Sequence, residues 1–229
     1  MTGQTLNYLA IDIETAPAPD EAIDTLMADW KPPGNVKDPA KIEARRVEAE
    51  EKAQEKASLL DASPIICIGY GHTDASVIHT LDHAALYDGF GQESRMLDEF
   101  ADCLAMACSS GTEIVGHNLL GFDLPKLRLA YIRHGIPIPP VLCYRPDRRQ
   151  PVYDTMLNFR YFSTEHNQDR FCSLELVCHT LGVEYDDGGL KGKDVAAAYE
   201  EGRHDEIIRH CHADIATTIK VYRAMTGAS

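Results

Sequence analysis

Leu6-Asn7-Tyr8-Leu9-Ala10-Ile11-Asp12-Ile13-Glu14 is the stretch on which the fold turns. Leu6, Tyr8, Leu9, Ala10, Ile11 and Ile13 are apolar, and together they read as a buried strand. A strand has a period of two, so Asp12 and Glu14 point to one face and Ile13 to the other. Two acids side by side on a strand repel unless something positive lies between them. A divalent cation is the usual solution, because hard cations take oxygen ligands. By itself, Asp-x-Glu equally describes a strand end fraying into solvent.

The rest of the chain supplies the elements of an α/β domain. Residues 16–35, rich in Pro, Asp and Gly, read as a loop with one helical turn. Asp38-Pro39 marks a helix start, with Asp as N-cap and Pro at the first helical position. The helix that follows, to about Leu60, carries a thin stripe of Ile42, Ala49, Ala53, Ala57 and Leu60. It has little to bury and is expected to project or to lie on the surface as an insertion. Pro64–Tyr70 and Ser76–Leu81 read as strands around a Gly/His/Thr/Asp turn. Met96, Leu97, Phe100, Leu104 and Ala107 predict a helix over 93–107, Glu113–Gly116 a short strand, and Asp123–Gly135 a helix ended by Gly135 and Pro137. A short strand at Val152–Asp154 leads into a helix. Leu174–Leu181 is a helix closed by Gly182, and the last helix runs from about Asp205 to Met225. Strands followed by helices in this order predict a mixed sheet flanked by helices. The chain is expected to be one domain over residues 1–229, with a loop and charged helical insertion at 17–63.

Composition narrows the function. The 229 residues are 44% hydrophobic and 25% charged, ordinary for a globular protein. No apolar run reaches the ~20 residues that span a bilayer, and Met1–Gln4 begins no signal peptide. These features, with seven cysteines of which no two form Cys-x-x-Cys, lead us to expect a cytoplasmic protein with reduced thiols. The net charge of −14 argues against a protein that coats nucleic acid, but not against an enzyme that grips a short strand through metal ions. From Lys126 to Arg170 the balance reverses locally. Lys126, Arg128, Arg133, Arg145, Arg148, Arg149, Arg160 and Arg170 face only Asp147, Asp154, Glu165 and Asp169. That stretch is either a solvated surface or a phosphate-facing wall.

Two further acids stand in suggestive places. Asp123 closes Gly116-His117-Asn118-Leu119-Leu120-Gly121-Phe122-Asp123, which follows a strand and opens a helix. It could simply cap that helix. Asp214 lies inside the last helix among Ile207, Ile208, Ile215, Ile219 and Val221, where an ordinary solvated Asp is the plain alternative.

Asp-x-Glu in the first strand, Asn-x-x-x-Phe-Asp over Asn118–Asp123 and an Asp in the C-terminal helix resemble the three motifs of the DEDD (DnaQ-like) 3′-5′ exonuclease superfamily. The wording is most similar to the branch containing the proofreading domain of family B DNA polymerases. Val152-Tyr153-Asp154-Thr155, Ser173-Leu174-Glu175-Leu176 and Gly192-Lys193-Asp194-Val195 extend the resemblance over most of Leu6–Tyr222. Trp30-Lys31-Pro32-Pro33-Gly34, in the insertion, looks like phage or prophage members. The resemblance implies a ribonuclease H-like fold. It also implies two Mg²⁺ or Mn²⁺ ions: Asp12, Glu14 and Asp214 on the first, Asp12 and Asp123 on the second. Asn118, Phe122, Lys191 and Lys193 are the residues expected to touch the strand. The expected activity is release of nucleotides from the 3′ end of single-stranded or frayed DNA. A 3′-5′ exoribonuclease, or a silent nucleic-acid- or protein-binding module on the same scaffold, stays open as an alternative.

One position departs from the superfamily. Its branches carry either Tyr four residues or His five residues before the last Asp. Here Arg209-His210-Cys211-His212-Ala213-Asp214 places His at the Tyr spacing. Four residues turn a helix by roughly 400° and two by roughly 200°, so His210 shares a face with Asp214 and His212 does not. Histidine titrates near neutrality, so His210 could orient or deprotonate an attacking water. The cysteines and histidines around Cys172–His212 match no regular zinc spacing, and Asp186–Gly192 matches neither a Walker loop nor a dinucleotide fingerprint.

Overall fold

The first strand sorts its side chains as its period dictates. In the computed structural model, which describes residues 8–59, 63–72, 78–82, 90–107, 112–142, 151–160 and 172–227, β1 spans Tyr8–Thr15. Leu9, Ile11 and Ile13 face one side and join a cluster with Met96, Leu97, Phe100, Leu124, Leu127 and Tyr131. Tyr8 and Ala10 face the other and pack with Val115, Ile215, Ile219 and Tyr222. Asp12 and Glu14 continue that second row.

β1 lies mid-sheet among five strands. The others are β2 (Ile65–His72), β3 (Ile78–Asp82), β4 (Glu113–Gly116) and β5 (Val152–Asp154), in the order β3-β2-β1-β4-β5. β1 pairs with β4 in parallel, with Leu9 opposite Ile114, and β4 pairs with β5 in parallel, while β2 and β3 are antiparallel. The sheet is therefore mixed. α3 (Phe90–Ala107) and α4 (Asp123–Arg133) supply the first cluster's helices. α8 (His204–Thr226) covers the opposite face, and α5 (Thr155–Phe159), α6 (Leu174–Leu181) and α7 (Val195–Glu200) pack against α8. This is the α/β, ribonuclease H-like arrangement expected from the sequence. Element positions follow the reading to within a few residues: α8 runs 204–226 against an expected 205–225, and β2 runs 65–72 against an expected 64–70, while residues 76 and 77 of the next expected strand lie outside the described residues.

α8 can lie close to the sheet because Gly69 of β2 carries no side chain. A Cβ there would sit 2.6 Å from Cys211 Sγ and 3.2 Å from Ile215 Cγ1. The helix ends at Gly227, whose φ of 72° is the left-handed cap that glycine adopts without a Cβ penalty.

Residues 15–64 form a separate compact unit. It corrects the reading of 16–35 as a loop with one helical turn, because α1 spans Asp20–Met27, eight residues. Asp20 and Glu21 in its first turn complement the helix dipole. α1 packs against α2 (Pro39–Leu59), a partner that the composition of 16–35 does not reveal. α2 starts as expected: Asp38 Oδ1 accepts the Ala40 N–H at 3.0 Å. Its exposed face carries Arg46–Glu50 and Lys52–Glu48 pairs at i,i+4, each contributing a few tenths of a kcal/mol. Ala53 and Ala57, both in the expected thin stripe, are buried.

One polar group ties the sheet unit together. Glu93, near the start of α3 and 3% exposed, accepts the Ile65 N–H at 2.8 Å. It also accepts Arg133 Nη2 at 2.6 and 2.7 Å and meets His134 Nε2 at 2.7 Å. One carboxylate thus joins the start of β2, the start of α3 and the end of α4. Losing one partner of a fully buried pair costs about 3–5 kcal/mol; Arg133 keeps some solvent access, so Glu93→Ala is expected to cost about 2–3 kcal/mol. Urea unfolding checks this, and a loss below about 1 kcal/mol would contradict it.

Candidate active site

Three elements bring the four acids of the sequence reading together. Asp12 and Glu14 stand on the face of β1 that meets α8, and Asp214 lies on the α8 turn above them. Asp123 opens α4, which follows β4 through a tight turn. Asn118 shapes that turn: it holds a positive φ of 58°, a conformation Asn tolerates better than most residues. Its carbonyl accepts the N–H groups of Gly121 at 3.0 Å and Phe122 at 2.9 Å. The chain therefore reverses at once after β4, and Asp123 arrives beside β1.

Asp123 does more than stabilise the start of α4. Its Oδ1 accepts the Ile13 N–H at 3.1 Å, a bond to the strand residue between Asp12 and Glu14. The plain alternative of a capping Asp is therefore insufficient. Asp154, which the sequence reading quoted without a role, holds the other side of the turn. It is 1% exposed, and its Oδ2 accepts the Leu120 N–H at 2.9 Å while Oδ1 accepts the Leu157 N–H at 3.1 Å. An Asp ending a strand and starting a helix is the sequence signal for such a role.

The electrostatics match four carboxylates in a confined place. Burial, then the charges of Glu14, Asp123 and Asp214, holds the Asp12 carboxyl well above its ordinary range. Burial, then Asp214 and Asp123, does the same to Glu14. Burial pushes Asp123 up to about 8, against two backbone hydrogen bonds that favour its ion. Asp214 rises to about 6, mainly by burial, with His210 pulling the other way. One Asp214 oxygen, Oδ1, is buried without a hydrogen-bond partner among the described residues. Carboxylates that repel one another, lose water and leave an oxygen unpartnered have the chemistry of a site for hard divalent cations. Cys211 Sγ belongs to the same group, within 4.8 Å of ligand atoms of Asp12 and Glu14.

His210 joins the acids, as helix geometry predicts. It is 3% exposed, with Nε2 3.6 Å from Glu14 Oε1 and 3.9 Å from Asp214 Oδ2. His212 is exposed, on the opposite side of α8. Phe122 is partly buried and carries Lys126 Nζ 5.7 Å from its ring centre. Lys191 and Lys193 are exposed on the segment leading into α7. Of the basic stretch, Lys126 is buried and Arg133 is paired with Glu93, and Arg145, Arg148, Arg149 and Arg170 lie outside the described residues.

Residues 64–228 match the family described as predicted 3′-5′ exonucleases related to the exonuclease domain of PolB. With most of its length matched, the chain belongs to that family. The match takes in Asp123, His210 and Asp214; Asp12 and Glu14 precede it. No curated protein matches. Among solved structures, the family B DNA polymerase of the hyperthermophilic archaeon Pyrobaculum calidifontis is similar at a TM-score of 0.57 and 16% identity, over 96% of this chain and 24% of the polymerase. The chain thus spans about a quarter of that polymerase, and the likeness establishes the shared fold. No helix among the described residues is long and apolar enough to cross a membrane.

The raised carboxyls make a signed prediction. Asp123 stands at about 8 in the folded chain against 3.8 for an ordinary Asp. Its contribution to stability is present below 3.8 and lost as pH rises through about 8. Metal-free protein should therefore melt at a lower temperature at pH 8 than at pH 6. Asp123→Asn keeps an acceptor for Ile13 and should flatten that fall, and Mg²⁺ or Mn²⁺ should raise the wild-type melting point at pH 8. An equally steep fall in the variant would refute the assignment.

Proposed function

We propose that this member of the PolB-related family is an active, divalent-metal-dependent 3′-5′ exonuclease acting on the 3′ end of single-stranded or frayed DNA. The observation that supports the reading is that Asp12 and Glu14 lie together on β1, near enough to Asp123 and Asp214 for the four charges to raise one another, with an Asp214 oxygen buried without a hydrogen-bond partner among the described residues. A binding module has no need to hold four mutually repelling carboxylates in one place.

The residues divide the work by position. Asp12, Glu14 and Asp214 would hold one Mg²⁺ or Mn²⁺ ion, and Asp12 with Asp123 a second. Bound there, such ions supply an activated water and offset charge on the leaving oxygen. His210 presents Nε2 beside Glu14 and Asp214, the place from which a ring nitrogen can orient the attacking water or take its proton. The Asn118 turn keeps Asp123 in place, and Phe122, Lys191 and Lys193 are candidates for strand contact.

The decisive assay compares 3′-labelled and 5′-labelled single strands of DNA and RNA with Mg²⁺ or Mn²⁺. Stepwise loss from the DNA 3′ end supports the proposal, whereas no cleavage of any strand would return the chain to a silent module. His210→Ala should lower turnover by about 10²–10⁴-fold, the usual worth of a positioned acid or base, while Mn²⁺ binding by calorimetry stays nearly intact. Near-normal turnover of that variant would remove His210 from the mechanism. Asp214→Asn should lose both turnover and one Mn²⁺.

A further inference from the structure

We propose that the turn Asp186–Gly192, just before α7, is the positioning element of His210. Its Asp187 carbonyl fixes the ring in the Nδ1–H tautomer and turns Nε2 toward Glu14 and Asp214. The inference rests on the reading of His210 as the group that handles the attacking water.

The ring's hydrogen bonds define its state. His210 Nδ1 lies 2.9 Å from the Asp187 carbonyl oxygen. A carbonyl oxygen only accepts, so Nδ1 carries the hydrogen. In the neutral ring Nε2 then keeps its lone pair, and that lone pair is the one directed at the carboxylates. The opposite tautomer would leave the Asp187 carbonyl facing a bare ring nitrogen and would send an N–H toward the acids. One backbone carbonyl therefore decides whether the group beside the acids accepts a proton or donates one.

The turn is built to hold that carbonyl in place. Asp186 Oδ1 accepts the Gly188 N–H and Asp187 Oδ1 accepts the Gly189 N–H, each at 2.9 Å. The Asp187 carbonyl also accepts the Leu190 N–H at 3.3 Å, so both of its lone pairs are engaged. Leu190 is 5% exposed and anchors the far end. Thr217 Oγ1 donates to the Asp186 carbonyl at 3.4 Å, which straps the turn to α8 two helical turns beyond His210. Gly188 is the residue that no other can replace. Its φ is +65°, and a Cβ there would sit 2.5 Å from the Arg209 carbonyl oxygen and 2.9 Å from the His210 nitrogen. Those neighbours are helix backbone and cannot move aside. Gly192 closes the other side of the ring, where a Cβ would lie 3.8 Å from Nε2.

The arrangement accounts for the residue in this slot. A tyrosine hydroxyl rotates to suit its neighbours, whereas an imidazole must have its tautomer set by a second partner. The Gly-rich segment, which resembles no nucleotide-binding loop, supplies that partner.

The test combines spectroscopy with kinetics. In ¹⁵N-labelled metal-free protein at a pH where the ring is neutral, the imidazole resonances that vanish in His210→Ala should report the Nδ1–H tautomer. Gly188→Ala should shift them toward a mixture. It should lower kcat about 10–100-fold, in line with the cost of a small misplacement of a reacting group, with KM and Mn²⁺ affinity changed less than about threefold. Thr217→Val removes the strap without a clash and should move the resonances and kcat the same way, by less. It decides the matter if Gly188→Ala fails to fold. An Nε2–H tautomer in the wild type overturns the inference, as do variants that fold with unchanged resonances and kcat. If His210→Ala keeps full turnover while the Nδ1–H tautomer is present, the reading of His210 as the water-handling group fails and the positioning geometry stands. If His210→Ala is inactive and Gly188→Ala is normal, the reverse holds.

Discussion

Mutual repulsion among Asp12, Glu14, Asp123 and Asp214 shapes everything around it. Like charges in a partly dry place raise each other's pKa, and desolvation adds to the effect. All four carboxyls rise above their ordinary values, so the cluster by itself resists full ionisation at neutral pH. A sequence free to vary would relieve this by moving one acid to solvent. Here each acid is instead fixed by a bond or a packed face: Asp123 by the Ile13 N–H, Asp214 by the helix pressed on Gly69, and Asp12 and Glu14 by the strand itself. The folded chain thus keeps in place an arrangement that only added positive charge can satisfy.

Rigidity for that arrangement comes from the two faces of β1. The odd-numbered apolar residues lock the strand to α3 and α4, and Tyr8 and Ala10 lock it to α8. At the C-terminal end of α8, Tyr222 packs between Tyr8 and Tyr153, with ring centres 4.9 and 5.0 Å apart. Its hydroxyl donates to Glu113 at 2.6 Å, and Arg223 donates to the Tyr8 hydroxyl at 3.1 Å. These contacts fix how far α8 slides along the sheet. A shift of one residue would turn the helix by roughly 100° and carry Asp214 and His210 away from β1 together. The aromatic end of the helix is therefore part of what aligns its acidic end.

Periodicity made much of this legible in the sequence. The strand period placed Asp12 and Glu14 on one face, and the helix period placed His210 and Asp214 together while excluding His212. What stayed hidden depends on contacts between distant segments. α1 looked like loop because its support is α2, some residues away in the chain. Asp154 was legible only as a cap for the helix it starts, since the Leu120 N–H it also accepts comes within reach only once the Asn118 turn has formed. Lys126 and Arg133 counted as surface charge in a linear tally, yet one is buried and the other is taken by Glu93. The Asp187 carbonyl was invisible for a simpler reason: every residue has one, and only the fold aims it.

The net charge of −14 is the feature hardest to reconcile with a polyanionic substrate, and the site offers a resolution. Under the proposed two-ion reading, four carboxylates and two divalent cations sum to zero. The one place where a phosphate must approach would then be neutral, while the remaining surface still repels a strand. Screening confines that repulsion to roughly 8–10 Å at moderate salt. A strand would therefore be held where the ions are and not along its length, which favours engagement at an end over coating. Under the same proposed reading, acidity would bias such a chain toward short, local grip centred on the carboxylate cluster.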